Sequence, residues 1–216
     1  MEVIKYQGTA NILDVAVKVA TVLKKGGVVI YPTETTYGIA AAALSPKAVR
    51  KIYAIKGRAF NKPLSVMVNG LAMAEKYVEI TEAAKNIFAT LLPGPLTLIL
   101  KKKKIVPDSL TGGSATLGLR WPAYPLVQRL LDEYGLPITA TSANPAGEPP
   151  LYEVSNITEK FGAVPLSLID LVIDAGPLPH QLPSTVLDLT INPPTILREG
   201  PVSSERITAV LGCSIK

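Results

Sequence analysis

The sequence predicts an α/β fold built on a mixed rather than purely parallel sheet. Three observations carry this expectation. Strand and helix periodicities interleave along the chain, the final third is rich in strands, and no stretch rich in Gly, Ser or charge divides it. With 216 residues and no internal repeat, a single domain over 1–216 is expected.

The elements follow in order. "NILDVAVKVATVLKKGG" has helical spacing, lysines in its last turn and Gly26-Gly27 to stop it. "VVIYP" reads as a buried strand. "SPKAVRKIYAIKG" is a helix with Ser45 as N-cap, Pro46 at its first position and Gly57 as terminator. "PLSVMV" is a strand, "NGLAMAEKYV" a short helix capped by Asn69, and "TEAAKNIFATLLPG" a helix that starts at Thr81 and breaks at Pro93. "LTLILKKKK" and "ATLGLR" are strands, "YPLVQRLLDEYG" is a helix, and "LPITAT" is a strand entering the core. "LVID", "STVLDLT" and "TILRE" are late strands, and "SSERITAVLG" is the closing helix.

Hydrophobic residues make up 48% and charged residues 18%, which supports a sizeable core and excludes disorder. The apolar runs are far shorter than the ~20 residues that span a bilayer, and "MEVIKYQGTA" lacks a signal pattern, so a soluble cytoplasmic protein with no membrane partner is expected. A net charge of +5 suits an anionic ligand, nucleotide or RNA, and equally suits an ordinary solvated surface. Proline is 19 of 216 residues, above the roughly 5% of average usage. These prolines fall in connections, where they stiffen loops.

Several chemistries are excluded. One histidine, His180, leaves little for a triad or a multi-histidine metal site, and it reads as a loop residue. One cysteine, Cys213, allows no internal disulfide and reads as a passive core or tail residue. Neither the P-loop pattern nor G-x-G-x-x-G after a strand occurs.

Four stretches are candidates for a site. "YPTETTYG" leaves a buried strand onto hydroxyls. In extended chain Thr33 and Thr35 would share one face, and Glu34 and Thr36 the other. "KGRAFNKPLSV" sets Lys56, Arg58 and Lys62 around a glycine past a helix end. Dipole capping explains one of these cations, and a polyanion ligand explains all three. "TATSANPAG" points Ser142 and Asn144 the same way, as a ligand site or as a turn closing the strand. "PSTVLDLT" and "TILREG" place Ser184, Thr185 and Arg198 at strand ends, as "LGLRWP" places Arg120, with Trp121 beside it as core or as a ring under the guanidinium. The lysine run at 101–104 reads as a solvated strand edge, with RNA contact as the competing reading.

Together, "YPTETTYGI", "KGR…KPLSV", "LLPGPLTLIL", "GLRWP", "TATSAN", "PSTVLDLT" and "ILREG" resemble the YrdC-type threonylcarbamoyl-AMP synthases, in the same order and over about residues 10–210. The resemblance implies an open, twisted YrdC/RibB-like sheet with flanking helices and a deep basic cavity. It also implies a nucleotidyltransferase that condenses L-threonine, bicarbonate or CO2, and ATP into threonylcarbamoyl-AMP and pyrophosphate, for threonylcarbamoyladenosine in tRNA. Larger relatives add a C-terminal domain, which a chain of this length is too short to contain.

By the same resemblance Thr35, Arg120, Ser142 and Ser184 hold threonine, and Tyr37 lies near the bicarbonate. Arg58, Lys62, Thr116, Asn144 and Arg198 hold ATP. Lys56 faces the phosphates, and Lys56 and Arg58 are the catalytic pair. Met67 stands where some members place a histidine in the threonine pocket, and Tyr152 where some have a small hydroxyl near the nucleotide. Mg2+ is expected to arrive with ATP, without a protein cage or other metal site, and a threonylcarbamoyl-transferase complex and tRNA lie downstream.

That reaction suits a chain poor in His and Cys, since the carbamate is its own nucleophile. Two unit charges ~4 Å apart repel by about 4 kcal/mol at an effective dielectric of 20, so fixed cations are the main requirement. Two rivals remain: a non-catalytic protein that binds double-stranded RNA or tRNA, and a carbamoyl-AMP-forming domain like that of hydrogenase-maturation carbamoyltransferases.

Overall fold

A computed structural model describes residues 1–216, apart from the side chain of Thr158. Ten strands form one open sheet: β1 (Glu2–Lys5), β2 (Val29–Pro32), β3 (Tyr37–Ala40), β4 (Ser65–Met67), β5 (Leu96–Lys101), β6 (Thr116–Arg120), β7 (Ile138–Ser142), β8 (Leu171–Asp174), β9 (Thr185–Asp188) and β10 (Thr195–Arg198). Across the sheet they run β1-β8-β2-β3-β7-β4-β6-β5-β9-β10. Pairing is mixed: β4 lies parallel to β6 and β5 parallel to β9, whereas β2–β3, β3–β7, β4–β7, β5–β6 and β9–β10 are antiparallel.

Every residue of β2 and β3 is buried. Strands covered on both faces read as continuous apolar runs, which is why "VVIY" shows no alternation. The helix Ile12–Lys24 buries Val15, Ala16, Val19, Ala20 and Leu23 and packs on the helix Pro125–Tyr134. Each buried Val or Leu among them contributes about 1.5–3 kcal/mol.

Local chemistry sets the helix Pro46–Lys56. The Ser45 hydroxyl accepts from the Ala48 N–H, Pro46 fixes the first turn, and Gly57 closes it at φ 58°, a left-handed conformation that favours glycine. Thr81 caps the helix Glu82–Thr90 in the same way.

The fold departs from the sequence expectation in four places. Residues 33–36 are a turn, because the Thr33 hydroxyl accepts from the N–H groups of Thr35 and Thr36, and the chain doubles back into β3. The short helix is Leu71–Ala74, capped by Gly70 and not Asn69, whose side chain instead accepts from the Trp121 indole. The lysine run is not a sheet edge: β5 lies between β6 and β9, and Lys102 turns onto Asp108 past its end. Strand β1, the helices Asp108–Thr111, Ile157–Phe161 and Ala163–Ser167, and β3 have no counterpart in the sequence reading. Among the described residues no helix is long and apolar enough to cross a membrane.

Candidate active site

One face of the sheet floors a cavity of about 620 Å³. Residues opposite one another on paired strands share a face, and the register carries this floor across seven strands. Gly38 faces Ser142, Ala140 faces Ser65, Met67 faces Arg120, Arg120 faces Thr97, Thr97 faces Val186, and Val186 faces Arg198. All of them line the cavity. Arg198 reaches this face only because of a β-bulge: Ile196 pairs with Leu187, Leu197 is extra, and Arg198 then meets Val186. Without the bulge it would point to the other face.

Beneath the wall lies Lys56, 3% exposed. Its ammonium donates to the carbonyls of Ser142 and Asn144, both at 2.6 Å, and to Asn144 Oδ1 at 3.1 Å. Burial first, and the Arg58 charge second, draw this amine down to about 7. The three acceptors match the three hydrogens of the charged form. Asn144 is fastened as well: its Oδ1 also accepts from the Ser142 hydroxyl, and its Nδ2 donates to the Pro145 and Glu148 carbonyls. Lys56 therefore tethers the end of β7 and does not line the cavity. The left-handed Gly57 separates it from Arg58, which does line the cavity and whose guanidinium donates to the Lys62 and Pro63 carbonyls.

At the other end Arg120, 8% exposed, donates to Glu34 Oε1 at 2.7 Å and to the Thr35 hydroxyl at 3.3 Å. Beside it, Arg198 donates to the Ser184 carbonyl through Nε and Nη2 and to its hydroxyl through Nη2, while that hydroxyl also meets Thr97. Burial, and then the Arg120 charge, lower the proton affinity of Arg198. Gly200 allows this packing, since a Cβ there would stand 2.4 Å from the Pro183 carbonyl oxygen.

Of the residues expected at the site, the cavity wall holds Thr35, Arg58, Met67, Arg120, Ser142, Asn144, Tyr152, Ser184 and Arg198. Tyr37, Lys62 and Thr116 lie elsewhere. Tyr37 is fully buried on the opposite face from Gly38, where its hydroxyl donates to the Gly176 carbonyl and accepts from Ala175 N–H. Burial, above all, pushes this phenol up to about 12. Lys62 is exposed and contributes only its carbonyl, and Thr116 bonds Ser114 two steps along β6 from Gly118.

Met67 is held by the Tyr31 hydroxyl at 3.2 Å. Trp121 packs on Phe88 rather than on a guanidinium. Three features escaped the sequence reading: the Glu34–Arg120 pair, Thr97 and Ser65 in the floor, and the stacking of His180 on Tyr152 with ring centres 3.9 Å apart. The alternation in "LTLIL" was the one available signal for Thr97; the other contacts join distant segments.

Known proteins resemble this chain in sequence and fold. The family model Sua5_yciO_yrdC, described as "Telomere recombination", matches residues 21–200. A Pyrococcus abyssi protein named threonylcarbamoyl-AMP synthase is 37% identical over 191 residues, covering 88% of this chain and 55% of that protein. A Methanocaldococcus jannaschii relative is 40% identical over 88% of this chain and 89% of its own length. The structure of P. abyssi Sua5 complexed with L-threonine superposes with a TM-score of 0.88 at 34% identity, over 100% of this chain and 62% of that one. The chain thus spans about half the length of the P. abyssi relative. On the family match and these identities, it belongs to the Sua5/YciO/YrdC family.

Proposed function

We propose that this chain is an L-threonylcarbamoyladenylate synthase, a nucleotidyltransferase acting on L-threonine, bicarbonate or CO2, and ATP. The observation that carries the reading is the single cavity that gathers Arg58, Arg120 and Arg198 with Thr35, Ser142 and Ser184 on one sheet face. The naming of relatives as threonylcarbamoyl-AMP synthase, and the threonine complex of the P. abyssi protein, support it.

In this reading the threonine amine adds to CO2 and loses a proton, giving a carbamate. A carbamate oxygen then attacks the α-phosphorus of ATP, and the bond to the β,γ-pyrophosphate breaks with pyrophosphate leaving. The protein's task is to hold two anions together and to stabilise charge spreading over phosphate oxygens. Thr35 and Arg120 orient the amino acid, Ser142 and Ser184 complete its pocket, and Arg58 and Arg198 face the triphosphate. Asn144 shapes the wall through Lys56, which is a positioning residue and not a phosphate ligand. The Tyr152 ring borders the nucleotide end and Met67 the amino-acid end.

Mg2+ would enter on the phosphates. Among the described lining residues Glu148 is the one carboxylate, a donor set that fits MgATP better than a protein-held ion. A cytoplasmic setting, with transfer of the product to tRNA by a partner complex, follows from this reaction.

The test is pyrophosphate release from ATP with threonine and bicarbonate withheld in turn. Release should require both, and release that persists without threonine would discredit the assignment.

A further inference from the structure

Glu34 lies outside the cavity lining, yet among the described residues it makes the one carboxylate contact, part-buried, to a lining cation. Its side chain is 18% exposed and that of Arg120 10%. The pair is not a two-pronged fork. Glu34 Oε1 takes Arg120 Nη2 and, at 3.4 Å, the Ala123 N–H, while Glu34 Oε2 and Arg120 Nε have no partner among the described residues. Arg120 Nη1 meets only the Thr35 hydroxyl, at 3.3 Å. Nη2 thus holds the carboxylate and shares the Thr35 hydroxyl, whereas Nη1 has that hydroxyl alone, on a side chain that lines the cavity.

We propose that Glu34 is the internal counter-ion of Arg120, reserving that guanidinium for a monocarboxylate and denying it to phosphate. The field of Arg120 already reaches Arg198, whose proton affinity it lowers after the larger effect of burial. Without Glu34, Arg58, Arg120 and Arg198 would make one cationic basin, and the most highly charged anion present would fill all of it. With Glu34 in place the Arg120 end is balanced in charge and offers directed hydrogen bonds, which suit an amino-acid carboxylate. The Arg58 and Arg198 ends keep their charge for the triphosphate. Specificity of this kind works by withholding attraction from the wrong ligand.

This proposal rests on reading the cavity as a threonine and ATP site, and the test separates the two claims. Inorganic pyrophosphate is titrated into the protein by calorimetry at fixed ionic strength, with and without saturating L-threonine. In the unmodified protein, threonine should change pyrophosphate affinity by less than twofold. Glu34→Gln should tighten pyrophosphate at least fivefold, and threonine should reverse the gain. A smaller gain would overturn the proposal.

Glu34→Gln leaves a buried guanidinium uncompensated, so the double variant Glu34→Gln/Arg120→Gln provides a check that does not depend on its folding. Its pyrophosphate affinity should stay within twofold of the unmodified protein, and a larger loss would show that Arg120 already serves phosphate. If threonine has no effect on any protein, the pyrophosphate values alone still judge the counter-ion, and the threonine reading falls separately.

Discussion

Two buried cations, Lys56 and Arg120, flank the cavity, and their hydrogens are satisfied in opposite ways. Lys56 gives all three of its hydrogens to oxygens of Ser142 and Asn144, so its charge is spent on holding the end of β7. Arg120 lines the cavity, meets a carboxylate through Nη2, and leaves Nη1 with the Thr35 hydroxyl alone. The first is a fastener and the second is a cavity-lining group. The difference follows from shape: an ammonium can be saturated by three converging carbonyls, whereas a planar guanidinium spreads five donors that one neighbour cannot cover.

The largest effect should come from the fastener. Lys56→Met removes the shared donor of three acceptors and strands the buried Asn144 carbonyl, so urea denaturation should show a loss of about 3 kcal/mol, and threonine-dependent pyrophosphate release should fall at least a hundredfold. Arg58→Ala removes a cation from the rim two residues away. Stability should stay within about 0.5 kcal/mol while release drops at least tenfold, about 1.4 kcal/mol in barrier. Equal stability losses in the two variants would erase the distinction between them.

Titration offers a subtler contrast. With its amine drawn down to about 7, folded Lys56 gives up its proton where the unfolded chain still holds one. Stability should therefore rise as pH climbs from about 7 toward the ordinary lysine range. Release should decline several-fold over the same range, because a neutral amine can serve only two of its three carbonyls. Lys56→Met should flatten the stability trend.

The smallest effect is expected at Tyr37. Tyr37→Phe breaks the bonds to Ala175 and Gly176 on the far side of the sheet. It should cost about 1 kcal/mol in stability and leave release within twofold. A tenfold loss of release would bring Tyr37 back to the reacting groups.

The parts legible in the sequence are those fixed by neighbours along the chain. Ser45, Pro46 and Gly57 specify the start and stop of their helix by local hydrogen bonding and backbone preference, and the structure follows them. The turn at 33–36 was not legible, because threonines suit extended chain as well as a hydroxyl-capped turn; only the contact from Thr33 to the next backbone N–H groups decides. Asn69 looked like a cap, yet Trp121 competes for its side chain from a distant segment. The clustering of Arg58, Asn144, Ser184 and Arg198 was expected from family resemblance, but how each is held was not. The bulge at Leu197 and the carboxylate behind Arg120 both depend on pairing between remote segments, which spacing alone does not encode.

The central claim is that one cavity holds an amino acid against a nucleoside triphosphate, each at its own cation. A crystal structure of this chain with L-threonine and a non-hydrolysable ATP analogue tests it most directly. The threonine carboxylate should sit on Arg120 Nη1 and Thr35, with the phosphates against Arg58 and Arg198 and the threonine amine facing the α-phosphate. Phosphates seated on Arg120, or the two ligands in separate pockets, would contradict it.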